Sequence, residues 1–341
     1  MRNEQPAAEA IRKYLTQILG NEPQELSIER KSLRGGLESS SVNLVTTRFR
    51  DGSDRTRMLR FVCKELRDRG VREAAIYSRL AAKHAGHLSP RLIAVEYTGP
   101  DRALLWVEAV RRTRAWPWRD MLVADELLGR LARFHRSATG LTVDLPEWDY
   151  GLELQSMAEA TWGALDGCRI CPELSVLASD LPALKRLVLQ LSNLRRQLLS
   201  ERPFASCAIH GDVHPGNAVV RRRSGGDEPV LLDWGRARLG SPLEDVSSWL
   251  QSLGYFEETA RRHHDRLLTG YLSALGLERR LTSTIRAAYW MAGASNALSG
   301  ALLHHLCLAL DERQSAGSRA KAAAAARDWL RVIRRADAWC S

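Results

Sequence analysis

The order of apolar and polar positions divides the chain into two textures. Residues 7–19 (AAEAIRKYLTQIL) repeat apolar side chains at helical spacing and stop at Gly20, which predicts an amino-terminal helix closed by a glycine cap. The runs then shorten. Leu26 to Leu33, Val42 to Phe49, Arg57 to Leu66, Leu92 to Tyr97 and Leu104 to Val107 are brief, β-branched or alternating, and Asp51-Gly52 is a hairpin signal between the second and third. One helical pattern, Val71 to Lys83, interrupts these strands. Beyond about residue 110 helical spacing takes over, at Asp120 to Ser137, Leu152 to Leu165, Pro182 to Leu199, and from Leu243 to the Ala-rich stretch Ser318 to Trp339. The exception is Ala208 to Trp234, where two apolar runs flank a hairpin signal at Ser224-Gly225-Gly226-Asp227. The expected fold class is therefore α+β, with a small antiparallel sheet and one helix in residues 1–108 and a larger, mainly helical part in residues 109–341.

Composition narrows the classes of function. The 341 residues carry a formal net charge of +10, but the excess is diffuse: residues 1–110 hold 19 bases and 14 acids, residues 111–341 hold 31 and 26, and each part is +5. A diffuse excess of this kind argues against a nucleic-acid partner. The first residues lack the apolar core of a signal peptide, and no run approaches the roughly 18 apolar residues of a membrane span, so a cytoplasmic protein with no membrane partner is expected. The six cysteines include one Cys168-Arg-Ile-Cys171 pair without a second pair at ligand spacing, and reduced thiols are the expectation.

The chemistry concentrates in His210-Gly211-Asp212-Val213-His214-Pro215-Gly216-Asn217 and, sixteen residues past Asn217, in Asp233 of Val230-Leu231-Leu232-Asp233-Trp234-Gly235. Two carboxylates and an amide with a hairpin-length spacer suit phosphoryl transfer. One acid can accept the proton of an attacking hydroxyl, while the other joins the amide oxygen in holding Mg2+. Such a reaction asks the protein mainly for positioning and charge neutralisation around the γ-phosphate.

These motifs resemble those of the aminoglycoside phosphotransferase and choline kinase family, small-molecule kinases with a two-lobed protein-kinase-like fold. The resemblance covers roughly residues 25–250 and is most specific over 208–245. It implies ATP or GTP as phosphoryl donor, Asp212 as catalytic base, and Asn217 and Asp233 as metal ligands within the catalytic segment 208–235. It places His214 near the γ-phosphate, His210 in a loop-shaping role, and Asp245 at a helix start, where an acid bonds the catalytic-loop backbone. Lys64 on a strand and Glu73 on the following helix match the pair that clamps the α- and β-phosphates. Gly35, Gly36, Ser39 and Ser40 occupy the phosphate-loop position, and Glu108 and Val110 fall at the hinge that meets the purine edge. Only eleven residues separate Asp233 from Asp245 and about 100 separate hinge from catalytic loop, the opposite of the protein-kinase pattern.

The acceptor is less constrained. Between Arg136 and Arg169 there is no Lys or Arg, and Asp144, Glu147, Asp149, Glu153, Glu159 and Asp166 are interleaved with Trp148, Tyr150 and Trp162. An acidic stretch with aromatic walls suits a cationic acceptor, with Asp149 and Glu153 as candidate contacts. Residues 251–341 point elsewhere, with 13 bases and 8 acids plus His263, His264, His304 and His305, which suit a neutral or anionic one. The leading reading is an O-phosphotransferase acting on an aminoglycoside-like or other amino-bearing acceptor, as in antibiotic resistance. A metabolic kinase for choline, an amino alcohol or a sugar is the second, and a non-catalytic nucleotide-binding protein the third.

Overall fold

Alternation in the amino-terminal third produces a five-stranded antiparallel sheet. The structure, a computed structural model, describes residues 5–33, 39–111, 115–141, 144–223 and 226–340. Helix α1 (Gln5–Leu19) precedes β1 (Gln24–Leu33), β2 (Ser39–Arg50) and β3 (Thr56–Arg67). Next comes α2 (Val71–Ile76), which passes through a π-helical turn at Tyr77–Ala81 into α3 (Ala82–His84), and then β4 (Leu92–Gly99) and β5 (Arg102–Glu108). The strand order β1-β2-β3-β5-β4 makes β3 central. Asp51 closes the β2–β3 turn by accepting from the Ser53 and Arg55 amides at 2.9 and 3.1 Å and pairing with Arg57 at 2.8 Å.

Helix α1 covers one face of this sheet. Its Ile11, Tyr14 and Leu15 pack with Val45, Phe49, Phe61, Cys63 and Trp106, and the Tyr14 and Phe61 rings meet edge to face at 5.7 Å. Each large side chain so buried contributes roughly 1.5–3 kcal/mol. Because strand side chains alternate, β3 sends Phe61 and Cys63 toward α1 and must turn Lys64 and Leu66 to the opposite face. That face meets α2.

The rest of the chain is mainly helical: α4 (Met121–Ala138), α5 (Tyr150–Gly167) and α6 (Leu181–Ser200) lead to four short strands, β6 (Cys207–Ile209), β7 (Ala218–Arg223), β8 (Gly226–Leu231) and β9 (Arg238–Gly240). Helices α7 (Pro242–Phe256), α8 (Glu258–Arg262), α9 (His264–Leu275), α10 (Ser283–Asn296), α11 (Leu302–Leu310) and α12 (Ala316–Cys340) complete it. Strands β7 and β8 form the expected hairpin; residues 224–225 of its turn lie outside the described residues. Pairing of β6 with β9, Cys207 opposite Gly240, has no counterpart in the sequence reading, because three-residue strands carry no period. Two compact units result: Met1–Ala115 with Val143–Pro146 and Val219–Arg236, and Trp116–Thr142 with Glu147–Ala218 and Ala237–Ser341. Among the described residues no helix is long and apolar enough to cross a membrane.

Candidate active site

In the first unit, Lys64 on the central strand reaches α2 and the segment after β8. Its Nζ donates to Glu73 Oε1 at 2.7 Å and to Asp233 Oδ1 at 3.2 Å. Glu73 is buried, Lys64 nearly so, and the Asp233 side chain is 49% exposed. Burial alone would push the Lys64 ammonium down; the carboxylates of Glu73 and Asp233 outweigh it, and the group ends above the ordinary lysine value. Asp233 holds φ at +60°, a left-handed conformation that costs a side-chain-bearing residue roughly 1–2 kcal/mol. Strain of this kind gathers at functional sites. Its neighbours hold it there: Trp234 is fully buried with its indole N–H donating to the Leu231 carbonyl, and Arg72 of α2 donates to the Gly235 carbonyl at 2.6 Å.

In the second unit, the loop after β6 is fixed by its backbone. Asp245 in the first turn of α7 accepts the His210 and Gly211 amides at 2.8 Å each. It also meets His135 Nε2 at 3.1 Å, and His135 Nδ1 faces the Tyr271 hydroxyl at 2.8 Å. All three side chains are buried. Burial would raise the Asp245 carboxyl, yet its bonds from His135 and the loop amides, with the nearby His210, bring it below the usual carboxylate range. Arg238 braces the carbonyl side of the loop, donating to Gly211 O at 3.2 Å and to Glu244 at 3.2 Å. Gly211 itself sits at φ +80°, which glycine adopts without strain.

This bracing presents Asp212. The His210 ring accepts the Asp212 amide at 3.2 Å, and the partly exposed Asp212 carboxylate accepts Asn217 Nδ2 at 2.8 Å, with His214 Nε2 at 3.7 Å. His214 Nδ1 accepts the Gly216 amide at 3.0 Å; a Cβ on Gly216 would lie 2.7 Å from that ring, so the glycine lets the imidazole fold back. With its amide nitrogen committed to Asp212, Asn217 keeps its amide oxygen for another partner. That oxygen and the half-exposed Asp233 carboxylate are hard donors of the kind Mg2+ takes. No cluster of three or more His, Cys, Asp and Glu able to hold a metal occurs among the described residues. Buried Cys168 is a free thiol pushed up to about 11, mainly by burial, the opposite of an activated nucleophile.

Other predicted positions fall less simply. Gly35 and Gly36 lie outside the described residues. Ser39 opens β2, and Ser40 Oγ donates to the Glu65 carbonyl at 3.1 Å. Glu108 has its N–H on Arg91 O and its carboxylate on Arg221 at 2.9 Å, so it pins the end of β5; Val110 follows, half-buried. Asp149 caps α5 by accepting the Leu152 amide at 2.9 Å, and Glu153 accepts the Trp148 indole N–H at 2.8 Å. The aromatic walls of that stretch already face cations of the chain: Arg238 lies 3.7 Å from the Tyr150 ring centre and 5.9 Å from that of Trp148, and Arg195 lies 4.8 Å from Tyr150.

Sequence reasoning passed over His135 and Arg238. The signal for His135 is a lone imidazole on the apolar face of α4, among Leu127, Leu128, Leu131 and Phe134, which by itself reads as an ordinary core residue. Arg238 gives no signal beyond a base between two apolar neighbours.

Residues 30–283 match the model of the phosphotransferase enzyme family, APH. No curated protein matches the chain. Among solved structures, amicoumacin kinase hAmiN in complex with AMP-PNP, Ca2+ and Ami is 16% identical with a TM-score of 0.56, over 89% of this chain and 88% of that one. A microcompartment-associated aminopropanol kinase is 15% identical with a TM-score of 0.57, over 95% and 96%. A Plasmodium vivax ethanolamine kinase is 10% identical with a TM-score of 0.52, over 90% and 82%. The fold of this chain is kinase-like, with an antiparallel-sheet lobe and a mainly helical lobe.

Proposed function

The chain belongs to the phosphotransferase enzyme family, and on that premise we propose that it is a small-molecule kinase. It transfers the γ-phosphate of ATP or GTP to a hydroxyl. The observation that carries this reading is the Lys64 ammonium held between Glu73 and Asp233, a fixed cation on a central strand, suited to nucleotide phosphates. In the reaction the acceptor oxygen bonds to the γ-phosphorus, the bridging P–O bond to the β-phosphate breaks, and the hydroxyl proton passes to Asp212. Asn217 and Asp233 are the residues that would hold Mg2+, which when bound neutralises phosphate charge. In this reading His214 would donate to the γ-phosphate, Ser39 and Ser40 at the start of β2 would meet the phosphates together with Gly35 and Gly36, and Glu108 and Val110 would serve as the hinge. His210 and Asp245 keep the loop in shape.

A second reading for the acceptor, an amino-bearing hydroxyl compound held at Asp149 and Glu153, draws on the aminopropanol and ethanolamine kinases that share the fold. Phosphorus NMR of the protein with Mg-nucleotide and a panel of sugars, hydroxy acids, amino alcohols and aminoglycosides tests the reaction. A new phosphomonoester signal from one acceptor is the expected result. Nucleotide binding without any phosphoester across the panel would favour a non-catalytic binding protein.

A further inference from the structure

Within the helical unit, α7, α8, α9, α10 and α12 line an open pocket of about 380 Å³. Its lining is unlike the acidic stretch expected to receive a cation. Four arginines, Arg261, Arg286, Arg331 and Arg335, face only two acids, Asp265 and Asp328. Both acids already have partners: Arg286 pairs with Asp265 at 2.8 Å, and Arg331 and Arg261 approach Asp328 at 2.8 and 3.6 Å. Arg335 is the exception. Among the described residues no carboxylate pairs with it, and its guanidinium instead lies 4.9 Å from the centre of the Trp290 ring. Its neighbour Arg334, by contrast, grips both oxygens of Asp180 at 2.8 and 2.7 Å.

The His264 and Trp290 wall of the pocket offers a cation little. His264 stacks on Trp290 at 5.9 Å with planes 5° apart, and its two nitrogens are held by Asp265 at 3.0 Å and the Tyr289 hydroxyl at 2.7 Å. Arg331 and Arg335 stand one turn apart on α12, a spacing at which like charges repel. An anion between them relieves that repulsion, and guanidinium forks match carboxylate and phosphate oxygens. Helix α7 links this cavity to the catalytic loop. Asp245 holds the loop amides, and Gln251, six residues further along the same helix and roughly 9 Å at 1.5 Å per residue, lines the cavity.

Resting on the kinase reading, we infer that this cavity receives the anionic end of the acceptor, so that the substrate is a small hydroxyl compound bearing a carboxylate or phosphate group and not a cationic amine. Isothermal titration of the full chain with glucuronate, glucose 6-phosphate, glucose and glucosamine tests it, since these pyranoses differ chiefly in one charged substituent. One or both anionic sugars should bind at least roughly tenfold more tightly than the neutral and cationic ones, and the two anionic arms separate carboxylate from phosphate. Arg335→Ala should abolish the preference and Arg335→Lys retain part of it. Equal or tighter binding of glucosamine, no anion-dependent binding into the millimolar range, or anion affinity unchanged in Arg335→Ala would each overturn the assignment. The two readings fail separately. Charge-selective, Arg335-dependent binding with no phosphoester from Mg-nucleotide would keep the cavity and sink the kinase. Phosphorylation of glucosamine at an undiminished rate in Arg335→Ala would do the reverse.

Discussion

Two aspartates twelve residues apart, Asp233 and Asp245, show how the same side chain is put to different ends. Asp245 is buried, accepts two backbone amides and faces His135, so its charge is satisfied on every side the structure records. Asp233 is half-exposed, accepts a 3.2 Å bond from Lys64 and sits in a left-handed backbone conformation. A satisfied carboxylate builds structure; a strained and partly solvated one is available for ligands. The comparison separates what holds the loop after β6 from what is proposed to act on phosphate.

The largest effect should come from the buried side. Asp245→Ala leaves two loop amides and His135 without their acceptor and is expected to cost about 3–5 kcal/mol in urea denaturation. Its pH dependence has a definite sign. Because the folded Asp245 carboxyl lies below its ordinary value, its contribution is fully present above the usual carboxylate range and is lost as the pH falls through the folded pKa. The variant should lack that part of the acid-side loss. An unchanged denaturation midpoint would erase the distinction between the two aspartates.

Lys64→Met comes next. It should lower kcat/KM on the order of a hundredfold or more, because the cation proposed to meet the phosphates is gone. It should also cost about 1–3 kcal/mol, since the buried Glu73 loses its ion pair with Lys64. Turnover close to wild type would detach Lys64 from the nucleotide. At Asp233 the two readouts should part. Asp233→Gly relieves the positive φ and should gain about 1 kcal/mol in thermal denaturation while turnover disappears; a loss of stability would show that the carboxylate is structural. Smallest of all, Asp149→Ala should cost about 1 kcal/mol through the lost cap of α5 and leave the acceptor KM unchanged. A raised KM for an amino-bearing acceptor would move Asp149 from cap to binding site.

Much of this was legible in the sequence, for identifiable reasons. Period two in Phe61-Val62-Cys63-Lys64 fixes which face Lys64 takes, and the helical pattern from Val71 brings Glu73 to that face; the 2.7 Å bond follows from both. The loop from His210 to Asn217 is dense in chemistry at fixed spacing. What the sequence hides depends on partners far apart in the chain. The link from His135 to Asp245 spans 110 residues, and the placement of Arg238 against Tyr150 spans 88; no local period reports either. The same limit applies to the acceptor. The acidic–aromatic stretch reads as a cation site until Arg238 and Arg195 are seen against Tyr150, while the basic excess of residues 251–341 shows no pocket until α12 packs beside α7 and α10 and brings Arg331 and Arg335 to one.

The central claim, that Asp212 is the base on a loop whose shape is maintained by other residues, is tested most directly by pairing turnover and thermal denaturation in Asp212→Ala. Asp212 is partly exposed, and Asp245, His210 and Arg238 hold the loop backbone around it. Acceptor-dependent turnover should therefore fall at least several hundredfold, with a melting temperature within about 2 °C of wild type. Turnover that survives the substitution, or activity and fold lost together, would contradict the account.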